Sequence, residues 1–264
     1  MSTLNEAMQI AVRFNYQKMA PLGIADDDYR RVAMSLDLSE DGVKELCQQF
    51  KAQNKAAASE LFPNPVHPTR ECRICFIGDS ITSERTSYMN ILRTAFEDQS
   101  NVLICDCAIS GWKTSDVIFE FEGYVPGFKP DIVHIMLGTN DARNAFPDTD
   151  SSAAGLSGYR RNITQIIETV KKLGAAVIVT TIPPTKPSPA LDCGIVPVWE
   201  TKDFNDILRD VCKQANVPLN DMESTLTAEL DGVIDTFDHV HLSAYGQKLM
   251  AKSVYPYLAE EMMK

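Results

Sequence analysis

No apolar run in this 264-residue chain approaches the ~20 residues that a helix needs to cross a bilayer. The first residues, Met1-Ser2-Thr3-Leu4-Asn5-Glu6, carry neither a basic start nor a long apolar stretch, so no secretory signal is expected. Positive charge is in short supply: 25 Lys and Arg stand against 36 Asp and Glu, a formal net charge of −11. No basic cluster interrupts that balance. A field of this sign repels phosphate backbones and anionic headgroups, which sets nucleic acid and membrane surfaces aside as partners. Cysteine is sparse and odd in number, seven at positions 47, 72, 75, 105, 107, 193 and 212. Cys72 and Cys75 have redox or half-zinc spacing, but they run straight into Phe76-Ile77, and no second Cys or His pair repeats the gap. They read as buried strand thiols, with no metal site expected. Dispersed thiols suit a reducing cytoplasm. Internal repeats and low-complexity tracts are also missing.

What is there reads as one large α/β domain with a helical leader. Residues 1–62 are expected to be helical. Thr3-Leu4-Asn5-Glu6 has capping-box spacing, and Leu4, Met8, Ala11 and Val12 follow at a helical period. A second helix is expected over 26–35, opened by three aspartates. A third follows Ser39, with Val43, Leu46, Cys47, Phe50, Ala57 and Leu61 on one face. Pro63, Pro65 and Pro68 then mark a linker over 63–71. Residues 1–70 carry nine acidic and eight basic residues, so nearly all the net charge belongs to the domain at 72–264. There, apolar runs at 72–77, 102–107, 132–137, 175–182 and about 217–222 read as strands. Amphipathic helices alternate with them: Tyr88, Ile91, Leu92 and Phe96; Ile163, Ile166, Ile167 and Val170; Phe204, Ile207, Leu208 and Val211; and 249–258. Apolar strands separated by helices predict a five-stranded parallel sheet covered on both faces. Ligands then bind beyond the C-terminal strand ends.

Polar motifs fall at those ends. Gly78-Asp79-Ser80 follows the first strand, Ser110-Gly111 the second, and Gly138-Thr139-Asn140-Asp141 the third. Asp238-His239-Val240-His241 precedes the last helix, for which Ser243 is the expected N-cap. A serine hydroxyl needs a neighbouring base to act as a nucleophile, and histidine titrates in the right range. A carboxylate three positions before His241 can hold the imidazole in one tautomer. The N–H groups of Ser80 and Gly111 and the Asn140 amide offer three donors to an oxyanion. His239 competes with His241 for the role of base, although two residues apart on an extended segment the rings point in different directions. His134 reads as a core histidine and Asp79 as a loop brace. Asn162-Ile163-Thr164 has glycosylation spacing but lies on a helix. Trp112, Lys113 and Trp199 are candidates to line a substrate site, together with the long loops 141–156 and 185–200.

Four such motifs in this order resemble the SGNH/GDSL hydrolases, serine esterases and lipases with a flavodoxin-like three-layer α/β/α fold. The resemblance spans residues 73–258, with Ile81 where the family name has leucine. It implies Ser80 as nucleophile, Asp238 and His241 as the other triad members, and Gly111 and Asn140 as oxyanion donors beside Ser80. Many members carry an asparagine four residues before the second-motif glycine, where this chain has Cys107. The expected activity is hydrolysis of a carboxylic ester, with a short acyl or acetyl group, on a carbohydrate among other carriers, and with no cofactor. Acyl transfer through the same residues is the alternative within enzymes. A catalytically idle carbohydrate- or acyl-binding module is the alternative outside them. The leading helices lie outside the resemblance and suit self-association into a homo-oligomer, capping of the site or docking of a partner.

Overall fold

A computed structural model of the protein describes residues 6–15, 18, 28–144, 152–186, 198–199, 201–235 and 238–264. Helices α1 (Glu6–Arg13), α2 (Tyr29–Leu36) and α3 (Glu40–Leu61) precede the sheet. Asp28 caps α2 by accepting from the Arg31 N–H, and Ser39 caps α3 by accepting from Gly42. Residues 1–5 and 26–27, where Thr3 of the first capping box and two of the three leading aspartates fall, lie outside the described residues.

Strand β1 (Cys72–Gly78) is the centre of the design. Its side chains alternate between two cores with the period of a strand. Cys72, Ile74 and Phe76 face one side, and Cys75 and Ile77 the other. β1 pairs in parallel with β2 (Val102–Asp106) and with β3 (Ile132–Met136), so that Ile74 sits between Ile104 and Ile132. β4 (Arg143–Asn144) and β6 (Val198–Trp199) form a separate antiparallel pair that joins two long loops. β5 (Ala176–Thr180) and β7 (Leu219–Asn220) complete the main sheet, whose order is β2-β1-β3-β5-β7. This is the flavodoxin-like order, with its reversal between β1 and β3.

The first core is closed by α5 (Tyr88–Ala95) and α11 (Ala244–Met262), the second by α6 (Thr114–Phe128), α7 (Ser152–Lys172) and α8 (Thr201–Ala215). Short helices α4 (Ser80–Ser83), α9 (Glu223–Ala228) and α10 (Leu230–Val233) lie in the connections. The chain is therefore a three-layer α/β/α structure with a five-stranded parallel sheet, as the alternation of patterns predicts.

The β4–β6 pair, α9 and α10 were not expected from the sequence, and two further elements differ from expectation. The last strand contracts from 217–222 to two residues, because Pro218 has no N–H to donate; its carbonyl still accepts from Val179 at 3.1 Å. Helix α6 was not legible: Gly123, Pro126 and Gly127 interrupt it, and Phe119 is apolar yet exposed. Those features blur the helical period.

The leader is tied into the domain. Val43, Leu46, Cys47 and Phe50 of α3 form a small cluster with Val12 and Val32, whereas Ala57, Ala58 and Phe62 join the core of the main sheet. The proline-rich stretch is also held. The Val66 N–H donates to Tyr255 Oη (2.9 Å), and Gln99 and Asn101 amides donate to the carbonyls of Val66 and Pro68.

Candidate active site

β1 ends at Gly78, where only glycine fits. A Cβ there would lie 2.3 Å from Thr82 Oγ1 and 2.9 Å from the Met136 carbonyl. The chain turns at once into α4, with Asp79 as its N-cap accepting from the Ile81 N–H at 3.0 Å. Ser80 is thereby the first helical residue, at the strand's C-terminal end, where its own N–H has no partner within the helix. Its side chain is 9 % exposed.

The opposing loop is built on Asp238. One carboxylate oxygen accepts from the backbone N–H groups of Val240 and His241, both at 2.9 Å, closing a tight Asx-type turn. The other oxygen meets His241 Nδ1. His239 takes the left-handed backbone conformation in that turn, φ 65°, and its carbonyl accepts from Lys186. The ring that reaches the serine belongs to His241, whose Nε2 lies 2.7 Å from Ser80 Oγ across 161 residues of sequence. Because Nδ1 faces an anion, Nδ1 carries the proton and Nε2 is left to accept one from the serine hydroxyl.

The two remaining motifs meet beside this pair. The segment after β2 stays on β1 through Ile109 N–H to the Gly78 carbonyl (3.2 Å), then turns at Gly111 with φ +84°. Among the described residues, no atom beyond its chain neighbours lies within 4 Å of where a Gly111 side chain would project. Gly138, φ +134°, lets the third loop pass under Tyr159, whose hydroxyl a Cβ would meet at 2.6 Å. Asn140 donates one amide hydrogen to the Trp112 carbonyl at 3.0 Å, and the amide has a second hydrogen to offer. Asp141 accepts from the Thr114 N–H (3.0 Å) and Thr114 hydroxyl (2.6 Å). The second and third loops are thus bolted to each other.

The local charges follow from burial and pairing. Burial alone would raise the Asp238 carboxyl, but the His241 hydrogen bond and charge, with the two backbone donors, hold it down at about 2. Burial pulls the His241 imidazole down. Asp238 more than offsets this, helped by the charges of Glu84 and Asp79, so His241 lies above its ordinary value of 6.5. Asp79, fully buried, is pushed up to about 6 by desolvation despite its backbone hydrogen bond.

Of the other residues singled out in the sequence, Trp112 is partly buried and packs 5.9 Å from Tyr124, while Lys113 is exposed at the N-cap of α6. The Trp199 side chain lies outside the described residues. His134 is a fully buried core residue bonded to Thr180 Oγ1 at 2.8 Å, and Cys72 and Cys75 are buried thiols. Asn162 is spent on Thr114 Oγ1 at 3.1 Å. Among the described residues no group of three or more His, Cys, Asp or Glu is arranged to hold a metal ion.

The sequence reading passed over Arg13, Phe14 and Lys18 of the leader, and Glu84, Asp106 and Asp235 in the domain. Arg13 bonds Asp235 (2.7 Å), the Leu242 carbonyl (2.9 Å) and Glu84 (3.3 Å). Phe14 packs on the His241 ring with centroids 4.1 Å apart. No motif announces them, since their partners lie up to 229 residues away.

Comparison with known proteins agrees with this fold. A lipase/acylhydrolase from Enterococcus faecalis superposes with a TM-score of 0.58 at 22% identity, covering 72% of this chain and 96% of that one. Axe2, an acetylxylan esterase from Geobacillus stearothermophilus, gives 0.57 at 21% identity, covering 75% and 99%. A Bacillus subtilis (strain 168) protein named "Uncharacterized lipoprotein YqeF" is 30% identical over 149 residues, 51% of this chain. The match spans 59% of that relative's length. Residues 76–249 match the GDSL-like Lipase/Acylhydrolase family. Those residues take in all four polar loops, and the chain belongs to that family.

Proposed function

We propose that this protein is a serine esterase that cleaves a carboxylic ester through an acyl-enzyme. The observation that carries the reading is the unbroken relay from Ser80 Oγ through His241 to Asp238. Family membership supports chemistry on ester bonds.

In this reading His241 Nε2 takes the Ser80 proton as Oγ attacks the ester carbonyl. The carbonyl oxygen becomes an oxyanion facing the Ser80 N–H, the Gly111 N–H and the free hydrogen of the Asn140 amide. Protonated His241 then gives its proton to the alkoxide leaving group. A water repeats the cycle on the acyl-Ser80 ester, releasing the acid and restoring the serine hydroxyl. Asp238, ionised throughout, stabilises the imidazolium and fixes the tautomer. No step calls for a cofactor.

For the substrate we propose a short acyl ester, with acetylated saccharides first among those to assay. The support is that no described atom beyond its chain neighbours crowds Gly111, and the presence of acetylxylan esterases among the similar structures. Trp112 and Lys113, beside Gly111, are proposed to border the bound alcohol. Residence in a reducing cytoplasm is supported by the six described cysteines, all free and buried, and cell fractionation checks it.

A fluorophosphonate probe is expected to label Ser80. Ser80→Ala is expected to abolish labelling and to lower turnover of p-nitrophenyl acetate by about 10⁴-fold or more. Undiminished turnover in that variant overturns the reading. Acetate release from acetylated saccharides, measured alongside esters of increasing chain length, tests the substrate class.

A further inference from the structure

The leader crosses the chain's chemistry at three of its four polar loops. At the loop after β1, the Arg85 N–H donates to the Arg13 carbonyl at 2.8 Å, Arg85 Nε to the Val12 carbonyl at 3.1 Å, and Arg85 Nη2 to Asn15 Oδ1 at 3.0 Å. At the loop after β2, Ser110 Oγ donates to the Phe14 carbonyl at 2.7 Å. Lys18, 5 % exposed, pairs there with Asp106 (2.7 Å) and donates to the carbonyls of Asp106 and Ala108, which flank Cys107. At the loop that carries the histidine, Arg13 joins Asp235 to the Leu242 carbonyl. The same guanidinium reaches Glu84, a fully buried carboxylate also held by Gln247 of α11.

Phe14 sits in the middle of these anchors. It is 0 % exposed, its ring lies 4.1 Å from the His241 ring at an interplanar angle of 37°, and the Arg13 guanidinium covers it at 5.0 Å. An imidazole held at Nδ1 by a carboxylate can still swing about its side-chain torsions, and Nε2 then leaves the serine. A ring packed against it closes that route. The anchors make the packing stiff, because Phe14 is fixed by its own carbonyl and by bonds made through both neighbours.

We propose that residues 12–15 and 18 form a strap that is part of the active site, in which Phe14 and Arg13 are positioning residues for His241. The inference rests on the serine-esterase reading and adds to it a function for the segment that lies outside the match at residues 76–249. Phe14 holds the base by contact. Arg13 holds it by fixing both ends of the histidine loop to the helix that carries Ser80. Lys18 and the Phe14 carbonyl brace the Gly111 loop, so one segment sets nucleophile, base and oxyanion donor relative to each other.

The test uses the full chain with Phe14→Ala, Phe14→Leu, Arg13→Gln and Arg13→Lys, measuring kcat and KM on p-nitrophenyl acetate and the rate of fluorophosphonate labelling. A misplaced base costs on the order of 100-fold. Phe14→Ala is expected to lower kcat and the labelling rate together by about that factor, with KM within about threefold of the parent. Phe14→Leu, which restores cover of the ring, is expected to recover most of the loss. Arg13→Gln is expected to cost at least about tenfold in kcat, with Arg13→Lys intermediate. The downfield proton signal of the Asp238–His241 hydrogen bond is expected to be sharp in the parent and broadened in Phe14→Ala. Should Phe14→Ala fail to fold, Phe14→Leu and the Arg13 pair carry the same comparison. A folded Phe14→Ala that labels as fast as a labelling parent overturns the strap and leaves the esterase reading standing. A rise in KM at unchanged kcat also overturns it, because Phe14 would then be a substrate wall. A parent that never labels removes both readings.

Discussion

Asp238, Glu84 and Asp79 all favour the proton on His241, Asp238 the most. Asp238 is ionised across the working range and keeps His241 above 6.5. Only neutral His241 can take the Ser80 proton, so kcat/KM is expected to rise with pH along a single limb whose midpoint lies above 6.5. Asp238→Asn removes the first-ranked support for the imidazolium. That limb is expected to move to lower pH while kcat drops by on the order of 10⁴-fold, as read from pH–rate profiles of the two proteins. The same shifts set stability. Asp238, depressed from 3.8 to about 2, contributes stability that is present above the ordinary carboxylate range and is lost as pH falls through about 2. Asp79 acts in the opposite sense. Its carboxyl is raised from 3.8 to about 6, so the folded state holds the proton more tightly and stability declines as pH climbs between those values. Asn at this site can still accept from the Ile81 N–H and has no charge to bury. Asp79→Asn is therefore expected to gain about 1 kcal/mol at pH 8 in denaturant melts. A loss of stability there would mean that the ionised carboxylate is needed.

At the scale of elements, the turn from β1 into α4 decides whether Ser80 stands at the sheet's rim. Gly78→Ala drives a methyl into Thr82 Oγ1 and the Met136 carbonyl, and the carbonyl belongs to β3 and has little room to yield. A destabilisation of about 2–3 kcal/mol is expected in urea melts, with loss of labelling at Ser80 even in the folded fraction. That turn was legible in the sequence, since Gly-Asp-Ser after an apolar run is a local pattern. So were the start of α3 after Ser39 and the cap at Ser243; the two serines accept from Gly42 and Gly246. Strand β1 was legible too, because every side chain on it except Arg73 is buried. Helix α6 was hidden by its glycines and proline, and β7 was overestimated because a proline inside an apolar run looks the same whether or not the ladder continues.

For the whole molecule, the leader and the domain share a core. Phe62 is buried, stacks on Tyr255 of α11 at 4.5 Å, and sits with Ala57 and Ala58 in the cluster that contains β1. Phe62→Ala is expected to cost about 3 kcal/mol. Unfolding is expected to remain a single transition by circular dichroism and by tyrosine fluorescence, since the shared cluster couples the parts. Two separated transitions would show instead that the leader folds on its own. Size-exclusion chromatography of the same samples reports whether the leading helices also join copies of the chain.

The sequence alone determined the parallel sheet and the positions of Ser80, Gly111, Asn140 and the Asp238–His241 turn. Each of these depends on neighbours within a few residues: an apolar run, a glycine turn, a carboxylate three positions from a histidine. Only the tertiary structure decided that Arg13, Phe14 and Lys18 close around Ser80 and His241. Those contacts join residues up to 229 positions apart. Such a pairing leaves no period or spacing along the chain, and it takes form only when packing of α3 against α5 and α11 brings the leader to the rim.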